Sequence, residues 1–164
     1  MAGRSSRNKG AAGEREFIGL LAPTVTRACL AAGTKGIGLS RNFAQASCGG
    51  SDMDSLEHLG FIFEVKRHET LAINTWWTQV TKAVRGRNCW PILAYRQNRQ
   101  PWTFVVDCRM LWIEAEGRIS MEQDVFLAFF EKSLTSVLTR QNEAIKVRSA
   151  AAETCDAFES KPNQ

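Results

Sequence analysis

The chain has 164 residues, enough for one domain with its own buried core, and its composition of 44% hydrophobic and 23% charged residues is that of a globular protein, not a fibrous or disordered one. A net charge of +4 is mildly basic, which suits a polyanionic partner without identifying it. No apolar run is long enough to cross a membrane, the first ten residues lack the hydrophobic stretch of a signal peptide, and five scattered cysteines without a CxxC pair read as reduced thiols, so a cytoplasmic protein with no membrane partner is expected.

Residues 1–10 carry Arg4, Arg7 and Lys9 among Gly and Ser and are expected to be a flexible basic arm. A single domain over 11–140 and a disordered tail over 141–164 should follow. The first helix is expected from Ala11, with Phe17, Leu21, Val25, Ala28 and Ala32 at helical spacing and a kink or a break at Pro23, which cannot bond back to Gly19. Glu14 precedes Phe17, Ile18 and Leu21 by three, four and seven positions, so it shares their apolar face. A carboxylate there is costly unless paired or employed at a site. The ordinary alternative is a first-turn carboxylate complementing the helix dipole, which accounts well for Glu16.

A loop at 33–38, a strand over 39–46 and a short strand over 53–56 are predicted next, followed by the central strand 61–67. Residues 71–85 form a helix, with Ile73, Trp77, Val80 and Val84 on its apolar side. Strands at 91–96 and 102–107, an edge strand at 110–115 and an amphipathic helix over 121–138 complete the order. The connection from 67 to 91 is long enough for a helical crossover, so the strands it joins can be parallel. The fold class is therefore α/β, a mixed β-sheet flanked by helices.

Chemistry concentrates in Gly49-Gly50-Ser51-Asp52-Met53-Asp54 and in Phe61-Ile62-Phe63-Glu64-Val65-Lys66-Arg67. On a strand, Glu64 and Lys66 project from one face with Ile62, while Phe61, Phe63 and Val65 project from the other. The Gly-Gly-Ser turn can bring Asp52 or Asp54 beside Glu64. Two converging carboxylates call for a divalent cation such as Mg²⁺, and Lys66 would then face a metal-bound water or a phosphate oxygen. Taken singly, Glu-x-Lys is an ordinary solvated pair and Asp-x-Asp an ordinary turn. Their order and spacing, with Glu14 upstream, favour a metal-dependent phosphodiesterase. With only His58 and His68 available, zinc is not expected.

Lys9-Gly10, Glu14-Arg15-Glu16-Phe17, Gly49 to Asp54 and Glu64-Val65-Lys66 together resemble the PD-(D/E)XK nuclease superfamily, most closely the archaeal Holliday-junction resolvases and the resolvase-like nucleases of phages. Arg41-Asn42-Phe43-Ala44-Gln45, Trp77-Thr78-Gln79 and the run from Pro91 to Trp102 fit the phage group, and the resemblance spans about residues 9–107. Met53 stands where the family has proline before its aspartate. Between the two aspartates, the ten-residue spacing to Glu64 in the phage group selects Asp54.

The resemblance implies a restriction-endonuclease-like core and Mg²⁺-dependent DNA hydrolysis, with Mn²⁺ as a substitute and no nucleotide cofactor. It assigns Asp54, Glu64 and the Val65 carbonyl to the metal, Glu14 to a second ion or a water-mediated contact, and Lys66 to the attacking water. Arg15, Arg41, Gln45, Arg67, Gln79, Lys82, Arg85, Arg96 and Arg99 are the candidate DNA contacts. Symmetric cutting of branched DNA would require a homodimer, for which Trp76, Trp90, Trp112 and Phe129 are candidate surface aromatics. The rivals are a restriction-like, exonucleolytic or single-strand-specific nuclease, and a catalytically silent DNA-binding module.

Overall fold

A computed structural model describes residues 2–40 and 54–159, with side chains for 12–40 and 55–149. Helix α1 (Ala2–Ala31) leads by way of a 3-10 helix (Asp54–Leu59) to strand β1 (Phe61–Arg67). Helix α2 (Ile73–Ala83), strands β2 (Trp90–Arg96) and β3 (Thr103–Asp107), a second 3-10 helix (Cys108–Leu111), strand β4 (Arg118–Glu122) and helix α3 (Gln123–Glu159) follow. The strands lie in the order β1-β2-β3-β4. β1 and β2 are parallel, joined by the α2 crossover as their spacing predicts, and the remaining pairs are antiparallel. The expected α/β class and mixed sheet flanked by helices are borne out.

Alternation along β1 divides the core. Phe61, Phe63 and Val65 join Phe17 and Leu21 of α1 and Phe126 and Phe130 of α3 beneath one sheet face. Ile62 joins Leu93, Val105, Trp76 and Val80 beneath α2 on the other. Gly60 makes the turn into β1 with φ of 87°, and a Cβ there would lie 3.3 Å from the Asn88 carbonyl oxygen.

Several boundaries differ from expectation. α1 begins at Ala2, so the basic stretch expected to be a flexible arm is helical, and the helix continues past Pro23, which is exposed. The expected tail is helical as far as Glu159: residues 143–154 are rich in Ala, Glu, Lys and Arg, which favour helix without an apolar stripe. Asn142 Nδ2 donates to the Ala32 carbonyl (3.0 Å), tying that extension to the end of α1. Residues 54–56, expected as a strand, belong to the first 3-10 helix, and Leu39 and Ser40 are in no strand; 41–46 lie outside the described residues. The edge strand expected at 110–115 is at Arg118–Glu122 instead. Asp107 caps the second 3-10 helix and Trp112 closes it at φ 58°, a left-handed conformation incompatible with a strand. On α2, Trp76 is the buried tryptophan, whereas Trp77 is half-buried.

Candidate active site

Glu64 lies at the middle of β1 and is only 8% exposed. A carboxylate so placed needs a partner, and Lys66 supplies it: its ammonium forms an ion pair with Glu64 Oε1. The pairing follows from strand geometry, since residues two apart share a face. That face is the α2 side, where Glu64 is in register with Leu93 and Lys66 with Tyr95. The Tyr95 and His68 rings both approach Trp76, at centroid distances of 6.1 and 5.9 Å. The structure thus brings Glu64 and Lys66 together. Asp54 opens the 3-10 helix that packs on β1, but its side chain lies outside the described residues, as do Asp52, Arg41 and Gln45.

Glu14 is half-buried on α1, at the head of the stripe that buries Phe17 and Leu21. α1 covers the sheet face opposite Glu64, so the two carboxylates approach from different sides and would meet only around β1, which is an edge strand among the described residues. Gly13 fixes the level at which α1 crosses: a Cβ built on it would lie 3.0 Å from Arg67 Cβ, so this turn of the helix rests on the C-terminal end of β1. Since α1 starts at Ala2, neither Glu14 nor Glu16 is in a first turn, and the helix dipole does not account for Glu16. Among residues whose side chains are described, no three carboxylate, imidazole or thiol groups converge on one point; Asp52 and Asp54 are not among them.

Glu16 instead joins a polar cluster that the sequence did not reveal. Its Oε2 accepts from Arg96 Nη2 at 2.7 Å and from Arg67 Nη1 at 3.4 Å. Arg67 Nε also donates to Asn98 Oδ1 (3.1 Å), and the Arg96 guanidinium lies over the Trp102 ring, 5.4 Å from its centroid. The missing signal was register: once β1 and β2 are known to be parallel, Arg67 falls directly opposite Arg96.

The remaining candidate contacts are spread out. Arg15 is exposed on α1, Gln79 and Lys82 on α2, Arg85 just beyond it, and Arg99 occupies the β2–β3 turn with φ of 61°. A cleft of about 460 Å³ lies farther along the α2 side, lined by Asn74, Trp77, Thr81, Asp107, Arg109 and Arg118 among others; neither Glu64 nor Lys66 contributes to it. Within it Arg109 grips Asp107 through two hydrogen bonds, of 2.9 and 2.7 Å, and holds that carboxyl below the usual carboxylate range. Trp90 is 38% and Trp112 80% exposed, while Trp76 belongs to the core and Phe129 packs against it, which removes two of the four proposed surface aromatics.

No helix among the described residues is long and apolar enough to cross a membrane. No curated protein and no solved structure matches the chain. Residues 5–145 do match one family, described as phage putative PDDEXK endonuclease. That span contains most of α1, with Glu14, the Asp54 turn and the Glu64–Lys66 pair on β1, and the mixed sheet is consistent with the α/β core of such nucleases. The chain belongs to the phage PD-(D/E)XK endonuclease family.

Proposed function

We propose that the chain is a divalent-metal-dependent DNA endonuclease that hydrolyses phosphodiesters with preference for branched DNA of the four-way-junction kind. The observation that carries the reading is a carboxylate buried on a strand and held by a lysine two residues away on the same face. A structural ion pair of this type gains little over apolar packing, so its presence on β1 is explained better by chemistry.

The donor set fits a hard divalent cation, because Asp54, Glu64 and the Val65 carbonyl offer only oxygen. These residues would hold Mg²⁺, or Mn²⁺ in its place, with Glu14 serving a second ion or acting through water. Such an ion, when bound, polarises the scissile phosphate and lowers the pKa of a coordinated water. Lys66 orients the attacking water and offsets charge as the phosphate becomes pentacovalent. The Glu64–Lys66 ion pair supports this role, since it keeps the lysine ammonium beside the carboxylate that would hold the ion. Arg15, Arg41, Gln45, Arg67, Gln79, Lys82, Arg85, Arg96 and Arg99 would contact the DNA backbone.

Branched-DNA preference is supported by the resemblance to resolvases over residues 9–107. A single site cuts one strand, so paired cleavage would use a two-fold dimer, and exposed Trp90 and Trp112 are available to such a surface. Cleavage of junction, duplex and single-stranded DNA should be compared with Mg²⁺, Mn²⁺ and EDTA, alongside light scattering. Metal-dependent cutting of junctions by a dimer is expected. Cleavage that survives EDTA would overturn the metal site, and a monomer cutting duplex as fast as junction would make this a generic nuclease of the same family.

A further inference from the structure

The cluster of Glu16, Arg67 and Arg96 has the form of an anion site that is already filled. Two guanidinium groups from neighbouring strands converge on a single oxygen, Glu16 Oε2, at 2.7 and 3.4 Å. The match is imperfect. One carboxylate oxygen is shared between two forks that each prefer two acceptors, and Arg96 Nε is buried without a hydrogen-bond partner. The Glu16 side chain is 38% exposed, so the pair contributes little to stability. Both arginines are nevertheless held in place: Asn98 accepts from Arg67, Trp102 lies under Arg96, and their side chains are only 30% and 16% exposed. Two preset guanidiniums carry one more positive charge than Glu16 neutralises.

Position adds the second argument. Arg67 directly follows Lys66, and strand alternation sends the two side chains to opposite faces at the same end of β1. A DNA strand passing the C-terminal ends of β1 and β2 would meet Lys66 from one side and the arginine pair from the other. Resting on the nuclease reading above, we propose that Glu16 is an internal stand-in for a DNA backbone phosphate: it keeps Arg67 and Arg96 converged until a phosphate neighbouring the scissile one displaces it. A phosphodiester presents two charged oxygens, and each guanidinium can take its own.

The test is binding of a labelled four-way junction and a labelled duplex to the full-length chain in EDTA, followed by fluorescence anisotropy over a salt series. Glu16→Gln should bind several-fold tighter than wild type, with a salt dependence steeper by about one counterion, because phosphate engagement no longer has to break an internal pair. Glu131→Gln removes the same charge from an α1–α3 ion pair with Arg27 and should change binding little. The Glu16→Gln gain should vanish when Arg67 and Arg96 are both replaced by Gln. Unchanged or weaker binding by a folded Glu16→Gln protein overturns the proposal, as does an equal gain from Glu131→Gln or a gain that persists without the arginines. If neither wild type nor variant binds DNA at any salt, the nuclease reading itself fails, and this one with it.

Discussion

The two faces of the sheet are built to opposite specifications. Beneath α1 and α3, aromatic rings fill the space: Phe104 stacks on Phe126 at 3.8 Å, Phe126 on Phe130 at 5.5 Å, and Phe61 meets Phe130 edge-on at 5.1 Å. Beneath α2 the apolar cluster is small, and the same face carries Glu64 and Lys66 on β1 and Asp107 on β3. A carboxylate inserted among stacked phenyl rings would lose hydration with nothing to replace it. The thinly covered face tolerates charge because each buried carboxylate there has a basic partner, Lys66 for Glu64 and Arg109 for Asp107. One face supplies the stability, and the other can accommodate a reaction that stability alone would not favour.

The largest expected effect tests the thin face. Glu64→Gln should lower metal-dependent DNA cleavage by roughly 10⁴-fold, about 5.5 kcal/mol in the barrier, with the melting midpoint almost unmoved. Near-normal cleavage by this variant would remove Glu64 from the chemistry. The thick face should show the reverse pattern. Phe130→Ala opens a cavity among rings with no exposure and should cost about 3–5 kcal/mol in urea unfolding. A loss below about 1 kcal/mol would mean that the aromatic stack is not the main support of the fold.

A smaller effect concerns the edge of the thin face. Asp107→Asn preserves the cap of the second 3-10 helix, since Asn caps as well as Asp, but removes the charge that Arg109 grips. Because Arg109 holds the Asp107 pKa down, the wild-type advantage is fully present above the unfolded carboxylate value, about 3.9, and is lost as pH falls through the lower folded value. The Arg109 side chain is 63% exposed, so the advantage should stay below about 1 kcal/mol at pH 7. Denaturation at pH 7, 4 and 3 checks it, and a difference that does not shrink in acid assigns the effect to packing.

The smallest effect asks which face DNA follows. Lys82→Ala on α2 and Arg15→Ala on α1 should each weaken binding a few-fold and flatten the salt slope by about one. A loss confined to Lys82 would place the duplex on the α2 side alone. No change in either slope would assign both residues to a solvated rim.

Much of this arrangement could be read from the sequence, for a physical reason. Alternation in Phe61 to Lys66 dictates which residues enter which core, and the long apolar spacing of Phe17, Leu21 and Val25 dictates where α1 packs. Glu64 and Lys66 meet because period two leaves them no other arrangement. What sequence could not supply was tertiary context. Met110 to Ala115 is apolar enough for a strand, yet a cap at Asp107 and a left-handed Trp112 decide otherwise, while Arg118 to Glu122, which alternates polar and apolar residues throughout, forms the edge strand against β3. Trp76 and Trp77 are adjacent on one helix, and only the position of the sheet determines which is buried. The sequence suggests a dipole role for Glu16 only if α1 starts at Ala11; the helix begins nine residues earlier, at Ala2.

The contact at Gly13 gives α1 a mechanical role. A methyl group on residue 13 would meet Arg67 Cβ at 3.0 Å, close enough that helix or side chain must give by a few tenths of an ångström, so residue 13 acts as a spacer gauge between helix and strand. Glu14 and Glu16 ride on the same turn, and their reach toward the end of β1 is set by that clearance. Thickening the gauge, as in Gly13→Ala, would change the spacing between this turn and Arg67 by tenths of an ångström without altering any charge. Position 13 is therefore a place where geometry alone can retune an electrostatic site.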